Sequence, residues 1–444
     1  ADILVAEGQS LTLKPNFGGP GLGIFGIRYN ERHKNYIRST AGRFIGKAKD
    51  LKGRDCKAII LSTREQHIRR DKATSNICSN QSFVASACGA ALLEKGSEGF
   101  EKTFKKVSKL TKDLLQSLTC FEGVELKYNS PVFNEFTLKL DQPVTPLIKE
   151  CLEEENVFLG VDITGRCGIN ENLLHISIND QHEPINIQKI INFFKAKFKP
   201  KGISSTIKGL NTSDLRVNPF SIKALPKAEI VDYYQKLGQQ NLSPDDGIYP
   251  LGSCTMKYNP ELNEWAASLD NFTQTHPQML PEYVQGNLQI LFETQEIFKD
   301  ITGLSAVTTQ PVAGAQGELV GLKLFQAYHR DNNEGETRNI VLIPKSAHGT
   351  NPATATMAGF ETKIVDGKKM GIINIDANEQ GMMDMGQLKE LVEKHSQNIA
   401  GIMITNPNTA GIFETSFKEM SELIHSVGGL VYMDGANMNA IAGW

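Results

Sequence analysis

The sequence has no excess of charge of either sign: Lys and Arg number 47, Asp and Glu 50, for a formal net charge of −3 over 444 residues. A surface so balanced has no long-range field to draw in a polyanion, so neither nucleic acid nor a membrane is an expected partner. Nowhere does the chain approach the roughly 18 consecutive apolar residues that a bilayer-spanning helix needs. Seven cysteines (Cys56, Cys78, Cys88, Cys120, Cys151, Cys167 and Cys254) are scattered without a C-x-x-C pair or a His/Cys ligand spacing. That usage excludes a disulfide framework, argues against a structural metal and fits free thiols in a reducing compartment. With 40% hydrophobic and 22% charged residues, disordered, collagen-like and coiled-coil classes are excluded as well.

At about 150 residues per domain the length predicts two or three folding units. Before Leu210, short apolar strands (Lys57 to Leu61, Val124 to Lys127, Phe133 to Leu140, Leu173 to Ile178) mix with helices spaced at 3.6 residues (Ser82 to Lys95, Glu101 to Leu118, Pro146 to Glu154, Pro184 to Lys197). Polar and turn residues from Lys208 to Pro226 predict a linker. Beyond it come helices at Lys227 to Gly238 and Pro281 to Thr302. A regular alternation follows: strand Ala306 to Gln310, helix Gln316 to His329, strand Asn339 to Ile343, helix near Pro352 to Gly359, strand Thr362 to Val365, helix Met385 to His395, strand Gly401 to Thr405, helix Lys418 to Val427 and strand Leu430 to Met433. Repeated β-α-β order with continuous apolar strands predicts a parallel sheet covered on both faces, whose ligands lie at the carboxyl ends of the strands. The segments Ala1 to Ala6 and Gly429 to Met433 both read as buried strands, so both ends are expected to be cuts through a larger fold.

The strand ends carry the unusual residues. Pro311 to Leu319 leads from a strand into a helix, with Gly314 and Gly317 letting backbone amides approach an anion; a plain tight turn is the competing reading. His348 lies beside Ser346, Thr350 and Asn351 at a second helix start, as a reactive imidazole or as a cap. Asn406 and Asn408 follow a third strand, and Asp434 and Asn437 a fourth. An Asp in that place either caps a helix or pairs with a protonated pyridine nitrogen. Arg64, Arg69 and Arg70 form a cluster suited to a carboxylate or phosphate, or a solvated charge run. Lys257 is an amine nucleophile by residue type or a surface charge, and Cys254 beside it has no visible base partner.

These motifs together resemble the P-protein of the glycine cleavage system. The resemblance is carried by FGGPGLG (Phe17 to Gly23), REQHIRRDKATSNICSNQ (Arg64 to Gln81), YPLGSCTMKYNP (Tyr249 to Pro260), QPVAGAQGE (Gln310 to Glu318), SAHGTNPA (Ser346 to Ala353), TNPNT (Thr405 to Thr409) and DGANMNA (Asp434 to Ala440). It implies an α/β, fold-type-I pyridoxal-phosphate transferase architecture with a smaller α+β domain, both large domains being incomplete. Residues 1–207 would be the later part of a cofactor-free first half, 208–226 a linker and 227–444 the earlier part of a second half that binds pyridoxal 5′-phosphate.

By motif, Ala315, Gln316 and Gly317 would hold the cofactor phosphate, His348 would stack on the ring and act in catalysis, and Asp434 would pair with the ring nitrogen. Thr350 and Asn406 would lie close by. The family's Schiff-base lysine follows the DGAN strand, and none follows Asp434 here; the first-half counterpart, Gly8-Gln9-Ser10, has none either. The implied reaction is decarboxylation of glycine with transfer of the aminomethyl group to the lipoyl arm of the H-protein, with this chain inactive alone. Implied partners are glycine, lipoylated H-protein and the other P-protein half or subunit, in a homodimer or pseudo-heterotetramer. The implied compartment is bacterial cytoplasm or mitochondrial matrix. Another fold-type-I enzyme, such as an aminotransferase or cysteine desulfurase, and a cofactor-free scaffold piece are the alternatives.

Overall fold

A computed structural model describes residues 2–32, 44–60, 82–202, 208, 220–242, 247, 260–360, 363–365 and 368–438. The Arg64–Gln81 cluster, Cys254 and Lys257 lie outside the described residues.

Two antiparallel ribbons open the chain. The strand β1 (Ile3–Glu7) pairs with β2 (Gly23–Ile27), and β3 (Phe44–Lys49) with β4 (Asp55–Ile60). The expectation that the first strand is buried is wrong. Ile3, Leu4 and Val5 are 60%, 58% and 73% exposed, because among the described residues β1 pairs with β2 alone, in a two-stranded ribbon.

Helix α1 (Ser82–Leu118) joins the two expected helices across a break at Gly96, whose φ of 57° and ψ of 179° are non-helical. The break lets residues 220–226 cross the helix: Ser97 N donates to Ile222 O and Leu225 N to Leu93 O, each at 2.9 Å. A β-carbon at Gly96 would come within 2.6 Å of Ala224 N, so glycine is required there by space as well as by φ.

Next come β5 (Val124–Leu126), β6 (Glu135–Leu140), α2 (Val144–Glu155), β7 (Val161–Asp162), β8 (Leu173–Ser177) and α3 (Pro184–Lys197). The strands form an antiparallel sheet in the order β5-β6-β8-β7. Its covered face holds Phe136, Leu138, Leu140, Leu174 and Ile176 against Leu114, Leu115 and Leu118 of α1, Ile148 of α2 and Phe193 and Phe194 of α3. This is the predicted small α+β unit, and α3 starts where Pro184 and a reciprocal Glu183–Asn186 cap fix its first turn.

Among the described residues, the α-helices that lead to the second sheet are α4 (Lys227–Gly238), α5 (Glu261–Ala267), α6 (Asp270–Thr273) and α7 (Gln285–Thr302). Then follow α8 (Gly314–Asp331), β9 (Ile340–Pro344), α9 (Thr350–Ala358), β10 (Lys363–Val365), β11 (Lys368–Ile375), α10 (Met385–His395), β12 (Ile399–Thr405), α11 (Phe417–Ser426) and β13 (Leu430–Asp434). The strand order is β10-β11-β9-β12-β13, with β11, β9, β12 and β13 mutually parallel.

Side chains of β9 alternate between two cores, as a pleated strand requires. Val341 and Ile343 meet Leu322 and Phe325 of α8 and Ala355 and Ala358 of α9. Ile340 and Leu342 meet Leu388 and Val392 of α10 and Met420 and Ile424 of α11. The parallel sheet covered on both faces is therefore observed.

Two expectations for this part fail in detail, and one strand was missed. No strand forms at Ala306 to Gln310, where the backbone is irregular and mostly exposed. The strand at Thr362 to Val365 is not part of the parallel set; β10 folds back antiparallel on β11. The strand β11 itself was not anticipated, since Lys368 and Lys369 at its start disguise the apolar Ile372, Ile373 and Ile375 that enter the sheet.

Candidate functional site

Two neighbouring parallel strands, β12 and β13, end in the polar residues Thr405 and Asp434 on one edge of the sheet, and the turn after β9 lies at the same edge. After β9 the chain turns at Ser346 and Ala347 and places His348 at the start of α9. The backbone N–H of His348 donates to Thr405 Oγ1, the last side chain of β12, at 2.8 Å. Asp434, the last residue of β13, pairs in register with Thr405. Parallel pairing alone thus delivers His348, Thr405 and Asp434 to one place.

Asn351, in the first turn of α9, ties them together. Its Nδ2 donates to Asp434 Oδ2 at 3.1 Å, and its Oδ1 accepts from Thr405 Oγ1 at 3.2 Å. The other Asp434 oxygen accepts the Ala436 amide at 3.1 Å. Asp434 is 7% exposed and Asn351 fully buried. A carboxylate so enclosed persists only because these donors replace water.

The third contributor is α8, which runs over the sheet from the same edge. Its buried stripe is Ala315, Glu318, Leu322, Phe325 and His329, a helical spacing in which a glutamate is the exception. Glu318, 4% exposed, accepts hydrogen bonds from the hydroxyls of Thr350 and Thr354, the latter at 2.9 Å. Burial pushes its carboxyl up to about 7; the Asp434 charge adds to this, and donors from Thr350, Asn351 and Thr354 oppose it. Thr350 Oγ1 also lies 2.7 Å from His348 Nδ1. Burial likewise raises the Tyr432 hydroxyl, helped by the Asp434 and Glu318 charges.

Polar atoms of Glu318, His348 and Asp434 lie within 4.8 Å of one another. The carboxylate oxygens among them are already paired with protein hydroxyls and amides, so we assign no metal here.

Of the residues expected from sequence, His348 and Thr350 are hydrogen-bonded to each other, and Asp434 joins them through Asn351 and Thr405. Asn406 stands one residue further on: its N–H donates to Asp434 O at 3.2 Å, while its side-chain oxygen accepts the Glu414 amide at 3.0 Å and so fixes the following loop. Ala315, Gln316 and Gly317 form the first turn of α8, where the amides of Gln316 and Gly317 donate to Ala313 O at 3.0 and 3.1 Å. The side-chain oxygen of Gln316 is buried with no protein partner, as is Ser346 Oγ. A β-carbon at Gly314 or Gly317 would meet nothing within 4 Å, so the backbone there faces open space. Among the described residues, this hydrogen-bonded set contains no lysine. Glu318, Asn351, Thr354 and Thr405 were missed as site residues, although a charge on the apolar stripe of α8 is a signal the spacing contains.

Residues 1–194 match the family model described as glycine cleavage system P-protein. The whole chain is 34% identical to a glycine dehydrogenase (decarboxylating) from Pelagibacter ubique, of which it spans 44%, and 34% identical to the protein of that name from Deinococcus radiodurans, again spanning 44%. A relative of the same name from Christiangramia forsetii is 35% identical, with 45% of its length spanned. The chain therefore covers less than half the length of these curated relatives. A crystal structure of glycine decarboxylase (P-protein) in inhibitor-bound form is similar over 44% of this chain and 43% of its own, at 31% identity and a TM-score of 0.40.

Proposed function

We infer that this chain belongs to the glycine cleavage system P-protein family and supplies most of a pyridoxal 5′-phosphate site for the decarboxylation of glycine. The observation that carries this reading is the convergence of His348, Thr405 and Asp434 through Asn351 at the start of α8. In a fold-type-I arrangement that convergence is the cofactor's place. The domain reading that goes with it is a cofactor-free part at 1–207, a linker at 208–226 and a cofactor-binding part at 227–444.

The residues fit the group. The start of α8, where the backbone at Gly314 and Gly317 faces open space, suits the phosphate end, with the amide NH2 of Gln316 as a side-chain donor. Asp434 would face the ring nitrogen, and its negative charge would hold a proton there. Asn351 fixes that carboxylate in direction by donating to it, and Thr405 fixes Asn351 in turn. His348, anchored through its own amide, would lie on the ring face. When bound, pyridoxal phosphate supplies the electron sink that lets the glycine carboxylate leave as CO2. Transfer of the aminomethyl group to lipoylated H-protein is the proposed next step.

No lysine belongs to the described site, so binding of the cofactor there is expected to be non-covalent. The test is to titrate the chain with pyridoxal phosphate, follow its absorbance, then reduce with borohydride and map adducts by mass spectrometry. Saturable binding of one equivalent, abolished in Asp434→Ala and leaving no lysine adduct, is expected. Lack of saturable binding, or binding indifferent to Asp434→Ala, overturns the reading. A stoichiometric adduct on one lysine, Lys257 being the first to check, overturns the expectation of non-covalent binding.

A further inference from the structure

The hydrogen bonds between α8 and α9 form an unbroken line from the Glu318 carboxyl through the Thr350 hydroxyl to His348 Nδ1. A hydroxyl in the middle of such a line has one proton to give, so the two ends are not independent. With Glu318 ionised, Thr350 donates to it, and His348 must then carry its proton on Nδ1 to fill the remaining position at Thr350 Oγ1. That leaves Nε2 as a lone-pair acceptor. With Glu318 protonated, the line runs in reverse: the acid donates to Thr350, Thr350 donates to Nδ1, and the imidazole proton stands on Nε2. The Thr350 backbone N–H, 3.3 Å from Nδ1, is a second donor that suits only this reversed state.

We propose that Glu318, Thr350 and His348 form a proton relay in which Glu318 is a positioning residue that sets whether His348 Nε2 accepts or donates a hydrogen bond. The balance is simple. One proton arrives at Nε2, the Nδ1 proton passes to Thr350 Oγ1, and the former Thr350 proton passes to Glu318. One proton enters, no bond between heavy atoms changes, and the imidazole is neutral before and after. The charge is neutralised at the buried acid instead, where burial already favours the neutral form. The charged and titratable groups that face this acid are His348 on the α9 side and Tyr432 and Asp434 on β13. From β12 the facing residue, Thr405, carries no charge.

The inference rests on the cofactor reading only for its use there, where a neutral imidazole would take or return a proton beside the ring. Its test needs neither cofactor nor turnover. The ring nitrogens of His348 are followed by nitrogen NMR in the full chain labelled at histidine, His348→Gln giving the assignment. Above pH 7 an Nε2 resonance of the unprotonated type is expected, and below it a protonated Nε2 with Nδ1 remaining an acceptor and no imidazolium. Glu318→Gln, whose amide donates to Thr350, is expected to hold the Nε2-protonated form at every pH. Thr350→Ser should keep the switch, and Thr350→Val should uncouple the His348 tautomer from Glu318. An imidazolium with the same midpoint in the parent chain, Glu318→Gln and Thr350→Val overturns the relay. A failure to bind pyridoxal phosphate alongside a normal tautomer switch would overturn the cofactor reading and leave the relay standing.

Discussion

Asn351 Nδ2 donates to Asp434 Oδ2 at 3.1 Å across the carboxyl edge of the parallel sheet, with both side chains out of solvent. The same amide accepts from Thr405, so one side chain of α9 fastens two neighbouring strands. Replacing it with leucine keeps the volume but leaves Asp434 without its main side-chain donor. Leaving a buried charged acceptor underpaired costs roughly 1–3 kcal/mol. Asn351→Leu is therefore expected to lower stability by about that amount in urea denaturation and to weaken pyridoxal phosphate binding. Unchanged values for both would show that Asp434 finds other donors.

The Glu318 carboxyl gives a pH dependence of defined sign. Its acidity is weakened in the fold, from 4.5 to about 7. Between those values the unfolded chain releases the proton and the folded chain keeps it. Folding stability from this group is thus fully present below about pH 4.5 and declines as pH rises through about 7. The decline is on the order of 3 kcal/mol. Denaturation midpoints of the parent chain and Glu318→Gln, measured at pH 5 and pH 8, should diverge at pH 8 with the variant the more stable. An equal pH response in the two chains would count against a proton on Glu318.

Much of this arrangement was legible from residue patterns because parallel sheets impose a rule: polar residues that close apolar strands collect on one edge. His348, Thr350 and Asp434 were found that way, and the helices Lys227–Gly238 and Met385–His395 have the bounds their periodicity predicted. What escaped was set by contacts between distant segments. Glu318 belongs to a helix face that looked merely amphipathic until Thr350 and Thr354 came against it from α9. Asn351 and Thr405 looked like turn and strand residues. The exposure of β1 depends on which segments pair with it, and a run such as ILVA cannot express that. Lys368 and Lys369 hid a strand because the antiparallel return with β10 occupies its polar start.

Arg338 presents a stability test away from the site. It is 8% exposed, and one guanidinium nitrogen donates to the carbonyls of Ser396, Ile399 and Val427 at 2.9, 3.0 and 2.7 Å, closing the amino ends of β12 and β13. Arg338→Met leaves these carbonyls buried and unpaired, a loss expected at about 3–5 kcal/mol. Arg338→Lys should recover only part of it, because an ammonium lacks the planar fork. Equal stability of the lysine variant and the parent would show that charge alone suffices.

Gly401 tests how closely α8 must lie on the sheet. A β-carbon there would stand 2.3 Å from Leu430 O on β13 and 2.3 Å from Phe325 Cε2 on α8. The first contact cannot relax by a side-chain turn, because Gly401 is paired in register with Leu430 and its displacement breaks the ladder. The second forces Phe325 outward and with it the helix that carries Gln316 and Glu318. Overpacking of this kind typically costs 1–3 kcal/mol, and two rigid neighbours put Gly401→Ala at about the upper end. Gly23→Ala is the matched control, since a β-carbon at that strand glycine meets nothing within 4 Å, and a change within about 0.5 kcal/mol is expected. If α8 is held by Gly401, the alanine variant should also bind pyridoxal phosphate more weakly than the control. Loss of stability with unchanged binding would mean that the first turn of α8 is fixed by Thr350 and Thr354 alone.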